Sequence, residues 1–365
     1  MSALGDALLT LAHVVEPGDQ RVGTLVDEIG AIEVVSRIHD GSIRNRDHDA
    51  LKARLAAVNL DEIHARADAV GARIIARGDP EWPSQLDDLE VARPFVLWVI
   101  GSPNLRLAAL KSVAIIGARA STPYGEHIAR EWSSQLSAQG WMVASGGAYG
   151  IDAAAHRGVL SAGGVTTCVL ATGVDVAYPR AHSELLARIC DMGLLVSESP
   201  LGAQARRQRF LTRNRIIAAL TRATVVVEAA LRSGTTSTAN AAFALNRPVL
   251  AVPGPVTSPM SAGCHHLIRE QLATVASAWS DIPEILGALA TVPAVAVQEQ
   301  ARQIDALDGV AARVFDAFPR ARAIDQHSLL VQSGVGVKDL LGALSTLEML
   351  GFIARIDDGW SRVRG

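Results

Sequence analysis

The chain has 365 residues, of which 49% are hydrophobic and 19% are charged. This composition excludes a disordered chain, and the length indicates two or three folded domains. The net charge of −3 argues against a globally basic coat for nucleic acid, and no apolar run approaches the roughly 18 residues of a membrane helix.

Residues 4–68 have the pattern of short amphipathic helices separated by loops, and they predict a small helical domain of the sterile-alpha-motif or helix-hairpin-helix type over residues 1–70. Continuous apolar runs, typical of strands buried on both faces, then alternate with helical stretches. We expect strands at about 72–76, 94–100, 112–117, 141–145, 167–170, 194–197, 224–228 and 248–252. This alternation predicts an α/β fold, a doubly wound, Rossmann-like parallel sheet over residues 71–285 with its ligand site at the carboxyl ends of the strands.

Residues 286–304 are rich in Ala, Val and Gln and are predicted to be a linker. Residues 305–365 contain three helical segments and a hairpin, which is typical of a winged helix. The third helix carries Lys338 against Asp339 and Glu348, a poor composition for reading duplex DNA. We therefore expect this domain to contact protein, or duplex DNA only weakly.

The cysteines and the first residues bear on cellular location. Cys168, Cys190 and Cys264 are isolated, so neither a disulfide framework nor a thiolate zinc site is expected. The start of the chain lacks the basic region of a secretory signal. These features favour the reducing cytoplasm and predict no metal site.

Three glycine-rich turns follow predicted strands: Gly117–Arg119, Ser145–Asp152 and Ser233–Thr238. Glycine lets backbone amides approach an anion, and the following helix N-terminus adds partial positive charge. Three such turns on one sheet edge predict phosphate binding. The chain has no G-x-x-x-x-G-K-[ST] and no G-x-G-x-x-G at the first turn, so a P-loop ATPase is excluded and a dinucleotide cofactor is disfavoured.

A strongly basic segment lies between the second and third turns. Residues 200–222 hold six arginines and no acid, namely Arg206, Arg207, Arg209, Arg213, Arg215 and Arg222. Phe210 could stack on a base while Arg213 and Arg215 hold phosphates, as in proteins that bind single strands. The alternative is that Phe210 belongs to the core and the arginines form a solvated surface.

Catalytic constellations are sparse. Asp152 and His156 share a helix face but are too few for zinc, and Asp152 is expected to satisfy backbone amides. Glu228 ends a strand and is an acid or base candidate, although a structural role beside Arg213 or Arg215 is favoured. Cys264 and the two histidines after it do not converge, because adjacent side chains point apart.

Taken together, these motifs resemble the DNA-processing protein A family (DprA, also called Smf). The resemblance covers residues 94–282 and rests on the three turns and on the following segments: Gly173–Pro179, Ser197–Gly202, Phe210–Ala218, Val226–Ala229 and Val252–Gly254. Ala118 departs from the family, which usually has a hydroxyl residue there.

The resemblance implies an extended Rossmann domain that binds single-stranded DNA, forms homodimers through that domain and helps to load the RecA recombinase during natural transformation. It implies no catalytic turnover, no cofactor and no membrane. The residues expected to contact DNA are Arg119, Ser145, Gly146, Gly147, Arg207, Phe210, Arg213, Asn214, Arg215, Ser233, Gly234 and Thr235.

One alternative is an enzyme that cleaves nucleoside monophosphates on the same broad fold. The third turn faintly resembles that of the phosphoribohydrolases, whose catalytic glutamate lies seven residues after the first turn glycine. Counting from Ser233 reaches Asn240, which is not a carboxylate. Glycosidic hydrolysis is therefore disfavoured.

Overall fold

The computed structural model describes residues 2–43, 48–231, 233–287, 309–319, 323–350, 352–356 and 359–362. The chain divides into two compact units, residues 1–290 and 291–365. Of the predicted linker, only residues 286 and 287 fall within the described ranges. None of the helices in those ranges has the length and apolar content that crossing a membrane requires.

The first unit begins with five helices: α1 (Ala3–Val14), α2 (Gln20–Ile29), α3 (Ala31–Asp40), α4 (His48–Ala56) and α5 (Leu60–Ala69). Polar side chains fix where several of them begin, because Ser2, Asp19 and Asn59 each accept hydrogen bonds from first-turn amides. Buried residues of α1 and α3 join Trp98 and Ile189 in one core. The predicted helical region therefore packs directly against the sheet.

The sheet has nine strands: β1 (Arg73–Ala76), β2 (Val96–Ile100), β3 (Ser112–Ile116), β4 (Met142–Ser145), β5 (Thr166–Leu170), β6 (Leu194–Ser197), β7 (Thr224–Val226), β8 (Val249–Ala251) and β9 (Thr274–Val275). Their order is β1-β2-β6-β5-β4-β3-β7-β8-β9. The strands from β6 to β9 in this order are parallel, which confirms the predicted doubly wound sheet. The strands β1 and β2 differ from the all-parallel expectation, because they pair antiparallel and need no crossover helix.

Helices cover both faces of this sheet. They are α6 (Leu105–Leu110), α7 (Pro123–Ala138), α8 (Ile151–Ser161), α9 (Ser183–Met192), α10 (Arg207–Leu220), α11 (Thr235–Ala244), α12 (Ala262–Arg269) and α13 (Asp281–Leu286), with 3-10 helices at Ser84–Ala92 and Arg180–His182. Val113 and Ile115 of β3 pack with α7 and α8, whereas Ala114 and Ile116 pack with α10 and α11. Successive side chains of β3 thus point to opposite faces of the sheet and contact different layers of helices.

The chain winds in one direction from β3 to β6 and in the other from β7 to β9. The strand order therefore reverses between β3 and β7. In doubly wound sheets this reversal opens a crevice at the carboxyl ends of the strands, where ligands bind. All three glycine-rich turns follow β4, β3 or β7, which are neighbours in the sheet.

The second unit contains α14 (Gly309–Asp316), α15 (Gln326–Ser333), α16 (Val337–Met349) and a hairpin of β10 (Ile353–Ile356) and β11 (Gly359–Arg362). Ile324 forms an isolated bridge to Trp360 of the hairpin. Val314, Leu329, Leu340 and Leu347 are fully buried in a core of their own. Three helices and a hairpin are the arrangement expected of a winged helix.

Candidate nucleic-acid interface

A cavity of about 320 Å³ opens at the point where the strand order reverses. One wall is the turn after β3, the second is the segment between β7 and α11, and the third is the first half of α10. The lining residues are Ile116–Ala120, Ala148, Asp152, Phe210, Leu211, Arg213, Asn214, Ile217, Ala230, Ser233–Thr235, Thr238 and Met260. The volume is at the lower end of the range for small-molecule sites.

The structure brings seven of the predicted contact residues together around this cavity: Arg119, Phe210, Arg213, Asn214, Ser233, Gly234 and Thr235. The other five lie elsewhere. Ser145, Gly146 and Gly147 lie behind the cavity wall, Arg207 is exposed at the first turn of α10, and Arg215 faces away. The cavity is thus lined by fewer residues than the sequence analysis predicted for the site, and most of the predicted residues that line it belong to α10 and the third turn.

The turn after β4 is braced by its own side chains. The Asp152 carboxylate accepts hydrogen bonds from the Gly146 amide at 3.2 Å and the Ala148 amide at 3.3 Å. His182 contacts the Gly147 carbonyl oxygen at 3.0 Å through Nδ1. The role expected for Asp152 is confirmed. Asp152 therefore already binds the Gly146 amide, one of the groups expected to contact phosphate, whereas contact at Gly147 stays a prediction.

Arg213 is 93% buried and joins this turn to the sheet. Its Nη1 donates to the Gly146 carbonyl oxygen at 2.9 Å and also to the Val169 carbonyl oxygen. Burial raises the pKa of Asp152, and the Arg213 guanidinium opposes that shift. A Cβ at Gly146 would lie 2.5 Å from Nη1, so glycine is required for this close approach. Arg213 contributes positive potential to the cavity wall, but its hydrogen bonds stabilise the backbone.

Arg215 is also committed to structure. Its Nη1 and Nη2 donate to the Glu198 carboxylate at 2.8 and 2.6 Å, and its Nε donates to the Ala92 carbonyl oxygen at 2.8 Å. This bidentate pair is largely buried. The guanidinium of Arg215 is thus bound by an acid outside the basic segment, which does not favour the predicted role of holding a phosphate.

The remaining arginines of the segment separate into three groups. Arg206 and Arg209 both form ion pairs with Glu16, in the loop between α1 and α2, at 3.4 and 3.0 Å. Arg222 precedes β7 at the opposite, amino end of the strands. Arg207 is exposed and pairs with no acid within the described ranges. The local excess of six positive charges is thus mostly neutralised or directed elsewhere.

Exposed Arg119 and an aromatic pair form the mouth of the cavity. Arg119 Cζ lies 5.5 Å from the centroid of the Phe210 ring, within cation–π range. The ring of Tyr178 lies 5.2 Å from that of Phe210 at an interplanar angle of 53°. Phe210 is only partly buried, so it is not a core residue, and stacking of its ring on a base stays a prediction.

Sequence reasoning missed two exposed tyrosines. Tyr178 is 41% exposed and extends the aromatic surface at Phe210, while Tyr149 is 48% exposed and packs edge-on against His182. Both lie in segments recognised as motifs, Gly173–Pro179 and Ser145–Asp152. The sequence offered one signal for them: each is an aromatic residue in a turn that follows a strand, where the hydrophobic core does not need an aromatic side chain.

The third turn carries donors without partners. Gly234 is the N-cap of α11 and no side chain caps this helix. The Ser233 Oγ is buried and has no hydrogen-bond partner in the part of the chain that the structure describes. Thr235 and Thr238 are 91% and 97% buried and line the cavity, and their hydroxyls have no partner among the described residues. Asn214 Nδ2 donates to the Gly234 carbonyl oxygen at 3.3 Å and holds the turn in place.

Two candidate catalytic groups have structural roles. Glu228 accepts hydrogen bonds from the Thr122 amide at 2.8 Å and the Thr122 hydroxyl at 2.6 Å, so it anchors the start of α7 and is not a partner of Arg213 or Arg215 as expected. Burial raises the pKa of the Cys264 thiol to about 12. The Nε2 of His265 contacts the Gly254 carbonyl oxygen, which confirms that these side chains do not converge.

No group of three or more His, Cys, Asp or Glu side chains suited to a metal occurs in the ranges that the structure covers. Asp152 is the one carboxylate among the residues that line the cavity, and backbone amides occupy it. The cavity therefore offers hydroxyls, a helix N-terminus, arginine and aromatic rings. Such groups are suited to an anion that carries a flat ring.

The chain is similar in sequence to known proteins. A putative DNA processing protein DprA of Mycobacterium tuberculosis strain H37Rv is 39% identical, over 97% of this chain and 93% of the relative. Protein Smf of Escherichia coli K12 is 34% identical, over 74% of this chain and 72% of its own length.

Solved structures are similar as well. DNA processing protein A from Streptococcus pneumoniae superposes with a TM-score of 0.66 at 29% identity, covering 77% of this chain and 98% of that one. The same protein from Helicobacter pylori, described for its single-stranded DNA binding mode, gives a TM-score of 0.52 at 27% identity over 57% and 94%. A family model for DNA recombination-mediator protein A matches residues 73–287. The chain therefore belongs to the DNA recombination-mediator protein A family.

Proposed function

We propose that this protein binds single-stranded DNA at the cavity between β3, β7 and α10, without breaking a bond. The observation that carries the proposal is the aromatic pair Phe210 and Tyr178 beside exposed Arg119, at the edge of a cavity with unpartnered hydroxyls. Aromatic rings stack on any base, and cations beside them bind the backbone, so the combination favours single strands.

The cationic contacts are assigned to Arg119 and Arg207. Both side chains are exposed, and Arg207 lies one helical turn before Phe210 on α10. Arg213 adds positive potential from the cavity wall, and Arg215 serves the fold alone. The DNA surface we propose therefore comprises Arg119, Tyr178, Arg207, Phe210 and the third turn.

The test is the affinity for oligo-dT at several salt concentrations. The double variant Arg119→Ala, Arg207→Ala should bind more weakly, and its plot of log affinity against log salt should be shallower by about 1.4, since each phosphate contact of a single strand contributes about 0.7. Phe210→Ala should lose about 1–3 kcal/mol of stacking while keeping the wild-type salt slope.

Arg222→Ala is the matched control, because Arg222 belongs to the same basic segment but lies at the opposite end of β7. It should bind as the wild type does. Equal affinity of all four proteins at every salt concentration would refute the proposed surface.

Nucleoside monophosphate hydrolysis is the weaker candidate. Asn240 occupies the position of the required acid and lies exposed on α11, and Asp152 is held by amides. We propose that no turnover occurs. Release of free base from any member of a panel of nucleoside monophosphates would contradict this.

The partner proposals rest on the family. We propose a homodimer formed through the Rossmann domain and assistance to the RecA recombinase on single-stranded DNA. Light scattering should give twice the 38.4 kDa mass of the chain. RecA filament formation on DNA covered by a single-strand binding protein should accelerate when this protein is added, and an unchanged rate would contradict the second proposal.

A further inference from the structure

The cavity described above, here called the α11 recess, lies beside Phe210 and Tyr178. It holds more hydrogen-bond donors than a phosphate within a DNA strand can use. Three hydroxyls, those of Ser233, Thr235 and Thr238, lie in or beside the first turn of α11 and form no hydrogen bond with any residue that the structure describes. The amides of that turn have no capping side chain. A phosphodiester offers two non-bridging oxygens and one negative charge, whereas a phosphomonoester offers three oxygens and nearly two charges.

The electrostatics of the recess favour the more highly charged group. The N-terminus of α11 carries partial positive charge, and the ten residues of the helix give this dipole its length. Arg213 lies in the opposite wall, 93% buried and therefore weakly screened. The one acid among the lining residues, Asp152, accepts hydrogen bonds from the amides of the β4 turn and interacts electrostatically with Arg213, so its charge offsets part of that of Arg213.

The size and the floor of the recess limit what enters it. The volume of about 320 Å³ accommodates about one nucleotide, and Ile116, Ile217 and Met260 line it with apolar surface. A nucleotide inside a continuous strand is joined to two charged phosphodiester groups, and both would have to cross that apolar surface. Removing water from these charges is costly. The terminal nucleotide of a strand is joined to the rest of the strand on one side only, and in the recess that link would run past Phe210.

We infer that the α11 recess binds the terminal phosphomonoester of a DNA strand, so that the protein prefers phosphorylated ends to internal sites. This inference rests on the proposed function, since the strand must first lie on the Phe210 and Arg119 surface. It names the end group as the ligand, whereas the proposed function concerns the strand as a whole.

The experiment compares short oligo-dT strands labelled at one end that carry a phosphate, a hydroxyl or a methyl-esterified phosphate at the other. The buffer lies well above the second pKa of the phosphate. Phosphate at either the 5′ or the 3′ end should improve affinity by about five-fold over hydroxyl, and the methyl ester should lose most of that gain. Free thymidine monophosphate should compete far more weakly than the phosphorylated strand.

Variants assign the gain to the recess. The double variant Thr235→Val, Thr238→Val keeps the side-chain volume and should bind the phosphorylated and hydroxyl strands equally. Thr224→Val, which removes a buried hydroxyl at the amino end of β7, should keep the wild-type preference.

Equal binding of all three strands by the wild type would overturn the inference and leave single-strand binding intact, and this result needs no variant to fold. Failure to bind any strand would instead refute the proposed function. A preference that persists in Thr235→Val, Thr238→Val, or competition by thymidine monophosphate as strong as that of the strand, would also overturn recognition of a strand end at α11.

Discussion

At the scale of single residues, the structure brings seven of the predicted contact residues to one cavity and shows that several arginines are bound to acids of the fold. Composition shows six arginines without an acid between residues 200 and 222, but it cannot show that Glu16 and Glu198 pair with three of them. Those acids are supplied by the fold from distant parts of the chain. Phe210 could be predicted at the site because an aromatic among arginines is unusual, whereas Tyr178 reaches it only through the tertiary structure.

Glu16 sets the charge beside the proposed DNA surface. Because it neutralises Arg206 and Arg209, Glu16→Gln should free two cations and raise affinity for oligo-dT about two- to three-fold at low salt, an advantage that fades as salt screens it. Binding titrations at two salt concentrations measure this change. Glu33→Gln is the control, since it removes the same charge from an exposed pair with Arg37 within α3. An equal gain in both variants would show that only net charge matters.

At the scale of elements, six of the seven parallel strands were predictable because each is an apolar run buried on both faces, whereas β9 was missed because it is only two exposed residues. The antiparallel pairing of β2 with β6 was not, since a buried strand has the same composition in either direction. The three glycine turns were correctly placed at one edge. The turn after β4 differs from the prediction, because a sequence does not show whether the amides of a glycine turn face a ligand or, as at Gly146, a carboxylate of the following helix.

The start of α7 depends on a cap built from two elements. Thr122 accepts a hydrogen bond from the Gly125 amide and donates one to Glu228, which is only 2% exposed. Thr122→Ala should lower the free energy of unfolding by about 2 kcal/mol, because it removes the cap and leaves a buried carboxylate with one partner fewer.

Urea denaturation measures this loss. Thr24→Ala on α2 is the control, because that exposed hydroxyl only contacts the Gln20 carbonyl oxygen, and its effect should stay within about 0.5 kcal/mol. Equal effects of the two substitutions would show that the contact with Glu228 contributes nothing to stability.

At the scale of the whole molecule, length and alternating pattern were enough to expect a helical region, a large α/β region and a C-terminal winged helix. The boundary at residue 70 stays a prediction, because α1 and α3 share a core with the sheet. The boundaries at 285 and 305 are predictions too. Pattern shows where helices end but not which surfaces they bury, so domain limits are harder to predict than elements.

The C-terminal unit should contribute little to single-strand binding. The exposed face of α16 presents Val337, Leu341 and Met349 around Lys338, Asp339 and Glu348, which is a poor surface for phosphates. A chain that ends at residue 299 should therefore bind oligo-dT within about two-fold of the full-length affinity, as measured by titration at fixed salt. A loss of ten-fold or more would place DNA contacts in the winged helix.

The helix α10 is held at three places before any ligand arrives: by Glu16 at its first turn, by the strand-end carbonyl groups that Arg213 bridges, and by Glu198 through Arg215. Such a helix has little conformational freedom left to lose. Binding should then cost entropy mainly in the flexible strand, and the amide protons of α10 should exchange equally slowly with and without DNA. The protein would then offer a preformed surface, and the flexible DNA strand would adopt the conformation that fits it.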